Sequence, residues 1–100
     1  MIKLNELIHN EEVVLTIELD ETDGSVILID KFTNKISLGS NGISLVSNSD
    51  INISAKGKIN IEGLNIIIDA KEALIAKGNA SAEFSGSGDT IIKGAIVNIN

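Results

Sequence analysis

Residues 51–68 read INISAKGKINIEGLNIII. Ile51/Ile53, Ile59/Ile61 and Ile66/Ile68 are apolar dyads, each with one residue between its members. Alternation with a period of two is the signature of a strand with one apolar face. Lys56-Gly57 and Glu62-Gly63 separate the dyads, and such pairs read as corners. Working outward, the dyad recurs upstream as Ile43/Leu45. Downstream it returns as Leu74/Ala76, Ala82/Phe84, Thr90/Ile92 and Val97/Ile99. The eight starts lie 8, 8, 7, 8, 8, 8 and 7 residues apart. A period near eight is poorly matched by small multiples of the helical 3.6.

Between the dyads sit Asn48-Ser49-Asp50, Lys77-Gly78, Gly86-Ser87-Gly88 and Lys93-Gly94. Glycine takes positive φ without a Cβ clash, so these glycines are expected to serve the corners through φ. Only Asp69–Lys77 is locally helical in composition, and there the repeat outweighs propensity because Leu74/Ala76 keeps the phase of its neighbours. Each unit is a short strand and a tight corner, with a single apolar face that it cannot bury alone. A β-sandwich would need longer strands and more varied loops. A single-chain β-helix would give only two or three coils from these residues. Several chains wound together supply ladder partners on both strand edges and leave no lateral edge exposed. The pattern therefore predicts an all-β fold: an intertwined homotrimeric triple-stranded β-helix, a needle, preceded by a short antiparallel meander. The trimer core is assigned to Ile43, Leu45, Ile51, Ile53, Ile59, Ile61, Ile66, Ile68, Leu74, Ala76, Ala82, Phe84 and Ile92.

The domain reading is a leader at 1–11, a β-meander or transition at 12–42, and the octad repeat at 43–100. In the meander, Val13, Leu15, Ile17 and Leu19 alternate along one strand. Glu21–Gly24 turns, Ser25–Asp30 is a second strand, Lys31–Asn34 turns again, and Lys35–Leu38 begins a third. Ile2, Leu4, Leu7 and Ile8 fit neither period, so residues 1–10 read as a short helix or an irregular lead-in.

Composition narrows the function. The chain has 100 residues, 43% hydrophobic, with two aromatics, no Cys, no Arg and one His. Thiolate chemistry, disulfides and His-pair metal sites are excluded. Residues 1–30 carry a net charge of −7 and residues 31–100 a net of +1. Without a basic patch, Arg forks or stacking rings, no nucleic acid is expected as a partner. No apolar run approaches the length of about 18 residues that suggests a membrane span. The start, MIKLNELIHNEE, lacks the pattern of a Sec signal peptide.

Glu18–Gly24 (ELDETDG), Asp30–Ile36 (DKFTNKI), the Gly42-Ile43 step and Lys93–Asn100 (KGAIVNIN), taken with the octads, resemble a known family. Over residues 12–100 the chain looks like the region following the OB-fold in VgrG spikes of type VI secretion. It is similar also to the cell-puncturing spikes of contractile phage tails. The resemblance implies a homotrimeric needle at the tip of a contractile injection machine, driven through a target membrane when the sheath contracts. It implies hub and tube proteins at the N-terminal end and a PAAR-repeat tip protein at the C-terminal end. The tip contact is assigned to Ile96, Val97, Asn98, Ile99 and Asn100. It further implies synthesis in the cytoplasm and delivery outside the cell without a signal peptide. The chain departs from the family in lacking the OB-fold and hub domains before residue 12, so it reads as a needle fragment or a small separate spike. It also lacks the His-x-His pair of iron-bearing phage tips, so a metal-free tip is expected.

Other candidates weigh less. Gly86-Ser87-Gly88 is not a dinucleotide fingerprint and reads as a corner. Asp20, Glu21 and Asp23 lack EF-hand spacing and read as an acidic turn rather than a Ca²⁺ site. Glu18 and Asp20 have no ring or Arg nearby to build a sugar site around paired carboxylates. His9 reads as a solvated side chain, and Lys56, Lys58, Lys71, Lys77 and Lys93 as a solvated outer face. No catalytic residue and no cofactor are assigned. The alternative to a piercing spike is a trimeric fibre stem or an adhesin-like trimerisation module.

Overall fold

The computed structural model describes residues 2–100, with residues 2–5 described by their backbone alone. The chain divides into two compact units, Met1–Ile59 and Asn60–Asn100. Among the described residues there is no helix, Asp69–Lys77 included.

The first unit is a five-stranded antiparallel sheet in chain order: β1 (Ile2–His9), β2 (Glu12–Asp20), β3 (Ser25–Asp30), β4 (Lys35–Gly39) and β5 (Gly42–Val46). The Val13–Leu19 alternation, the Glu21–Gly24 turn and the Ser25–Asp30 strand fall where the residue pattern puts them. Two strands go beyond that pattern. Residues 2–9 are a strand, not a helix or an irregular lead-in. Their alternation is interrupted by register shifts between Lys3 and Asn5 and between Leu7 and Ile8. Each such irregularity puts an extra residue against the ladder and breaks the period of two that a sequence reader follows. Asn10 and Glu11, at φ 50° and 60°, make the two-residue connection to β2. Positive φ at both central residues is the geometry of a type I′ hairpin turn. The first dyad, Ile43/Leu45, lies within β5 and is antiparallel to β4.

The register gathers one apolar face. Leu15, Ile17 and Leu19 on β2 stand opposite Asp30, Leu28 and Val26 on β3. Val26 and Leu28 in turn face Leu38 and Ile36 on β4, which face Ile43 and Leu45 on β5. The opposite face carries Thr16, Glu18, Ser37 and Ser44, relieved by Ile27 and Ile29. Nothing in the first unit covers the apolar face: Leu7, Ile36, Leu38, Ile43 and Leu45 are all exposed, and the inner strands reach only half-burial. Among the described residues none is buried.

Beyond β5 the backbone has neither ladder nor helix, and its bends fall at residues 48–49, 56–57, 64–65, 71–72, 79–80, 87–88 and 95–96. Every bend begins five residues after the start of a dyad, so the bends repeat the 8, 8, 7, 8, 8, 8 spacing of the sequence. The residue before each bend is Ser47, Ala55, Gly63, Ala70, Gly78, Gly86 or Gly94. None is larger than serine, and at three of the glycines the backbone approaches closely. A Cβ on Gly78 would collide with the Ser81 carbonyl, and one on Gly94 or Gly63 would sit 3.1 Å or 3.3 Å from the carbonyl oxygens of Ile96 and Asn65. Positive φ is not what these corners need. Of the glycines, only Gly24 and Gly42, both outside these corners, have it.

The contrast is testable by substitution. Gly78→Ala should shift its corner and lower the unfolding midpoint, whereas Gly57 and Gly88 have open space at the Cβ position and no positive φ. Gly57→Ala or Gly88→Ala should be neutral or stabilising by about 0.4–1 kcal/mol, through the lost entropy of the unfolded chain. Chemical denaturation of the three variants checks the ranking.

Candidate functional site

The chemistry-bearing candidates resolve into structure. Asp20 Oδ1 accepts the Thr22 N–H at 3.0 Å, and Asp23 Oδ1 accepts the Ser25 N–H at 2.9 Å. The Gly24 N–H closes the turn on the Asp20 carbonyl at 2.7 Å. Both carboxylates therefore hold the turn, and the Ser25 N–H keeps the Asp23 carboxyl below its ordinary value. Glu18 and Asp20 share a face of β2, opposite Ile27 and Ser25. Among the described residues no group of three or more His, Cys, Asp or Glu is placed to hold a metal. Gly86, Ser87 and Gly88 lie at a bend whose groove includes Glu83 and Asp89, a setting that repels phosphate. His9 pairs with Glu12 at the mouth of the first hairpin and is exposed.

A polar cluster marks the exit from the sheet. The Asp30 carboxylate accepts the Phe32 N–H at 3.0 Å, the Asn34 N–H at 2.9 Å and the Asn34 side-chain amide at 3.0 Å. Thr33 stands at φ 63°, where a β-branched residue is strained. Its N–H donates to the Asp30 carbonyl at 3.1 Å and its hydroxyl to the Phe32 carbonyl at 2.6 Å. Asn48 then ties this loop to the first bend. Its N–H donates to Asn34 Oδ1 at 2.9 Å, and its side-chain amide donates to the Phe32 carbonyl at 2.6 Å and to the Thr33 hydroxyl. The Ser47 hydroxyl receives the Ser49 N–H and donates to the Asp50 carbonyl, each at 3.0 Å. The strand β5 thus leaves the sheet at a corner whose direction is fixed from two sides.

The residues assigned to the trimer core are uncovered. Ile51, Ile59 and Ile66, the first members of their dyads, are 51–55% exposed, while Ile53, Ile61 and Ile68 reach 67–71%. Leu74, Phe84 and Ile92 are exposed as well. At the C-terminal end the bend at residues 95–96 puts Ile96 in a corner, so the last straight segment begins at Val97. Ile96 and Ile99 stand open to solvent. The lysines at 56, 58, 71, 77 and 93 are exposed. Ile67 and Ile75, between dyad members, are 88% and 86% exposed. Composition conceals this pair, since Ile67 sits inside the run Ile66–Ile68.

Backbone groups are equally unpartnered. From Asn60 to Asn100 no backbone N–H reaches a backbone carbonyl of the described chain. The one side-chain bond there is the exposed Lys71–Asp69 ion pair at 3.2 Å. No protein-family model matches the chain, and a search of curated proteins finds no relative. No helix of the described residues is long and apolar enough to cross a membrane.

Acid tests the exit cluster. The Asn34 side-chain amide, helped by the backbone N–H groups of Asn34 and Phe32, holds the Asp30 carboxyl below its ordinary value against the opposing effect of desolvation. A carboxyl with a lower pKa folded than unfolded contributes stability that is complete above its unfolded value, about pH 4, and is lost as pH falls through the folded value. In Asn34→Ala the Asp30 carboxyl should titrate at a higher pH, and less of the stability should depend on acid. Carboxyl chemical shifts and denaturation midpoints between about pH 2 and pH 6 measure both effects.

Proposed function

We propose that this chain is one protomer of a homotrimeric, triple-stranded β-helical needle, and that the needle is the spike of a contractile injection system of the type VI secretion or phage-tail kind. The observation that carries the reading is the phase between chemistry and shape: each of the seven bends follows a dyad at the same distance. Every dyad thereby enters its segment at the same point, and one side of successive segments is apolar. Burying an isoleucine is worth about 1.5–3 kcal/mol, so the exposed dyads leave a large stabilisation to be gained. Two further copies of the chain supply what is missing: apolar surface of the same period and backbone edges of the same spacing. Closed three-fold symmetry matches identical faces without leaving an edge for further growth.

The resemblance of the ELDETDG, DKFTNKI and KGAIVNIN segments to spike proteins supports the role. In that role the needle is made in the cytoplasm, joins hub and tube proteins at its acidic N-terminal end, and passes transiently through the target membrane. A PAAR-type tip protein caps the apolar end formed by Ile96, Val97 and Ile99 with Asn98 and Asn100. A column of buried aliphatic side chains needs no catalytic group, so the work is mechanical.

Light scattering tests the assembly. The wild type should show three times the 10.5 kDa mass of one chain. Ile59→Asp should give monomer or unfolded chain, because it buries three like charges around one axis, while Lys58→Asp should still form trimer. A cooperative wild-type monomer at micromolar concentration overturns the reading. Removing residues 96–100 should leave the trimer and abolish binding of a PAAR-type protein; unchanged affinity would move the tip elsewhere and favour a fibre stem.

A further inference from the structure

The sixteen dyad positions hold thirteen large apolar side chains and three small ones, Ala76, Ala82 and Thr90. All three small residues fall in the dyad of Phe84 or in the dyads next to it, and Phe84 is the one aromatic of the repeat. The four dyads from Ile43/Leu45 to Ile66/Ile68 carry two large aliphatics each. Phe84 is 77% exposed, and its ring lines a shallow groove with Gly86, Asp89 and Thr90. Ala76 and Ala82 are exposed in the same unit. Ile91 lines the same groove, yet the ring stays mostly open within its own chain, and bulk is removed from the octads on either side.

We infer that the three Phe84 rings of the assembled needle form an aromatic plug on its axis, seated in the room left by Ala76 and Ala82. The partner of each ring is a second copy of this chain. The inference rests on the trimeric reading above. Adjacent strands of a ladder lie about 4.8 Å apart. If three chains wind in parallel, each level of one face comes from a different protomer, and the octad next to one protomer's Phe84 belongs to its neighbour. The neighbour's Ala76 then stands at the same octad position as Phe84, one level away. Ala82 shares the segment of Phe84 and opens space at its own level. Interiors are packed closely enough that one extra methylene is felt, so a ring in a column of isoleucine pairs demands such a local deficit of volume. The register is specific. A slip of one octad would put Phe84 beside a bulky level and leave the alanines facing a void.

Compensating substitution tests the pairing. Phe84→Leu leaves a void and Ala76→Leu overfills the same space, so each alone should lower the temperature at which the trimer dissociates. Ala76→Leu with Phe84→Leu should recover about half of the combined loss or more, because contacting residues are non-additive. Ile53→Val with Phe84→Leu is the distant control and should be additive. Light scattering accompanies each measurement, so the two readings fail separately. A monomeric wild type overturns the trimer and the plug together. A trimeric wild type in which the Ala76 and Phe84 substitutions are additive, or in which the double variant fails to assemble, overturns the plug alone.

Discussion

A backbone N–H or carbonyl that is withdrawn from water requires a partner, and from Asn60 to Asn100 the chain supplies none of its own. That requirement organises everything else about the molecule. The segments between bends form no ladder with one another. The apolar dyads lie open to water, and the proposed assembly would cover them with further copies of the same chain. The meander differs because its loops let the chain return on itself. There the ladder closes within the chain, from β1 through to β5, although the sheet's apolar face stays open.

Between these two regimes lies the cluster of Asp30, Asn34 and Asn48. One carboxylate collects three N–H donors, and Asn34 passes the connection to Asn48 at the first bend. The bonds are polar and lie at or near the surface, so their contribution is direction more than strength. They fix where β5 ends and at what angle the repeat begins. Thr33, held at a φ that a β-branched residue avoids, shows that the arrangement is over-determined by its neighbours.

The repeat was legible because it is written twice, in the dyads and in the corners between them. Periodicity correctly overrode the helical composition of Asp69–Lys77. The strand β1 was illegible because register shifts scramble the alternation of Ile2, Leu4, Leu7 and Ile8, and because Asn10-Glu11 lacks the glycine that usually marks a type I′ turn. Gly63, Gly78 and Gly94 mark corners, but the cause is spacing between backbone atoms, which sequence does not display: it excludes a Cβ at Gly78 and crowds one at Gly63 and Gly94. The exposed Ile67 and Ile75 escaped notice because an apolar residue between two apolar residues carries no sign of which way it points. The polar exit cluster joins residues 30, 32, 33, 34 and 48, and its longest tie spans sixteen positions, beyond the reach of any local motif.

The two shorter steps in the dyad spacing have an evolutionary meaning. In the eight-residue steps a single residue separates bend from dyad: Asp50, Lys58, Ala73, Ser81 or Asp89. In the seven-residue steps that residue is missing, and Asn65 runs directly into Ile66 and Ile96 into Val97. The repeat therefore has one slot that absorbs a lost codon without reversing which side chains face which way. A loss between the two members of a dyad would instead turn the rest of that segment inside out. Length variation among descendants of this chain should accumulate at that slot, and its five occupants, from aspartate to alanine, already show how little the position demands.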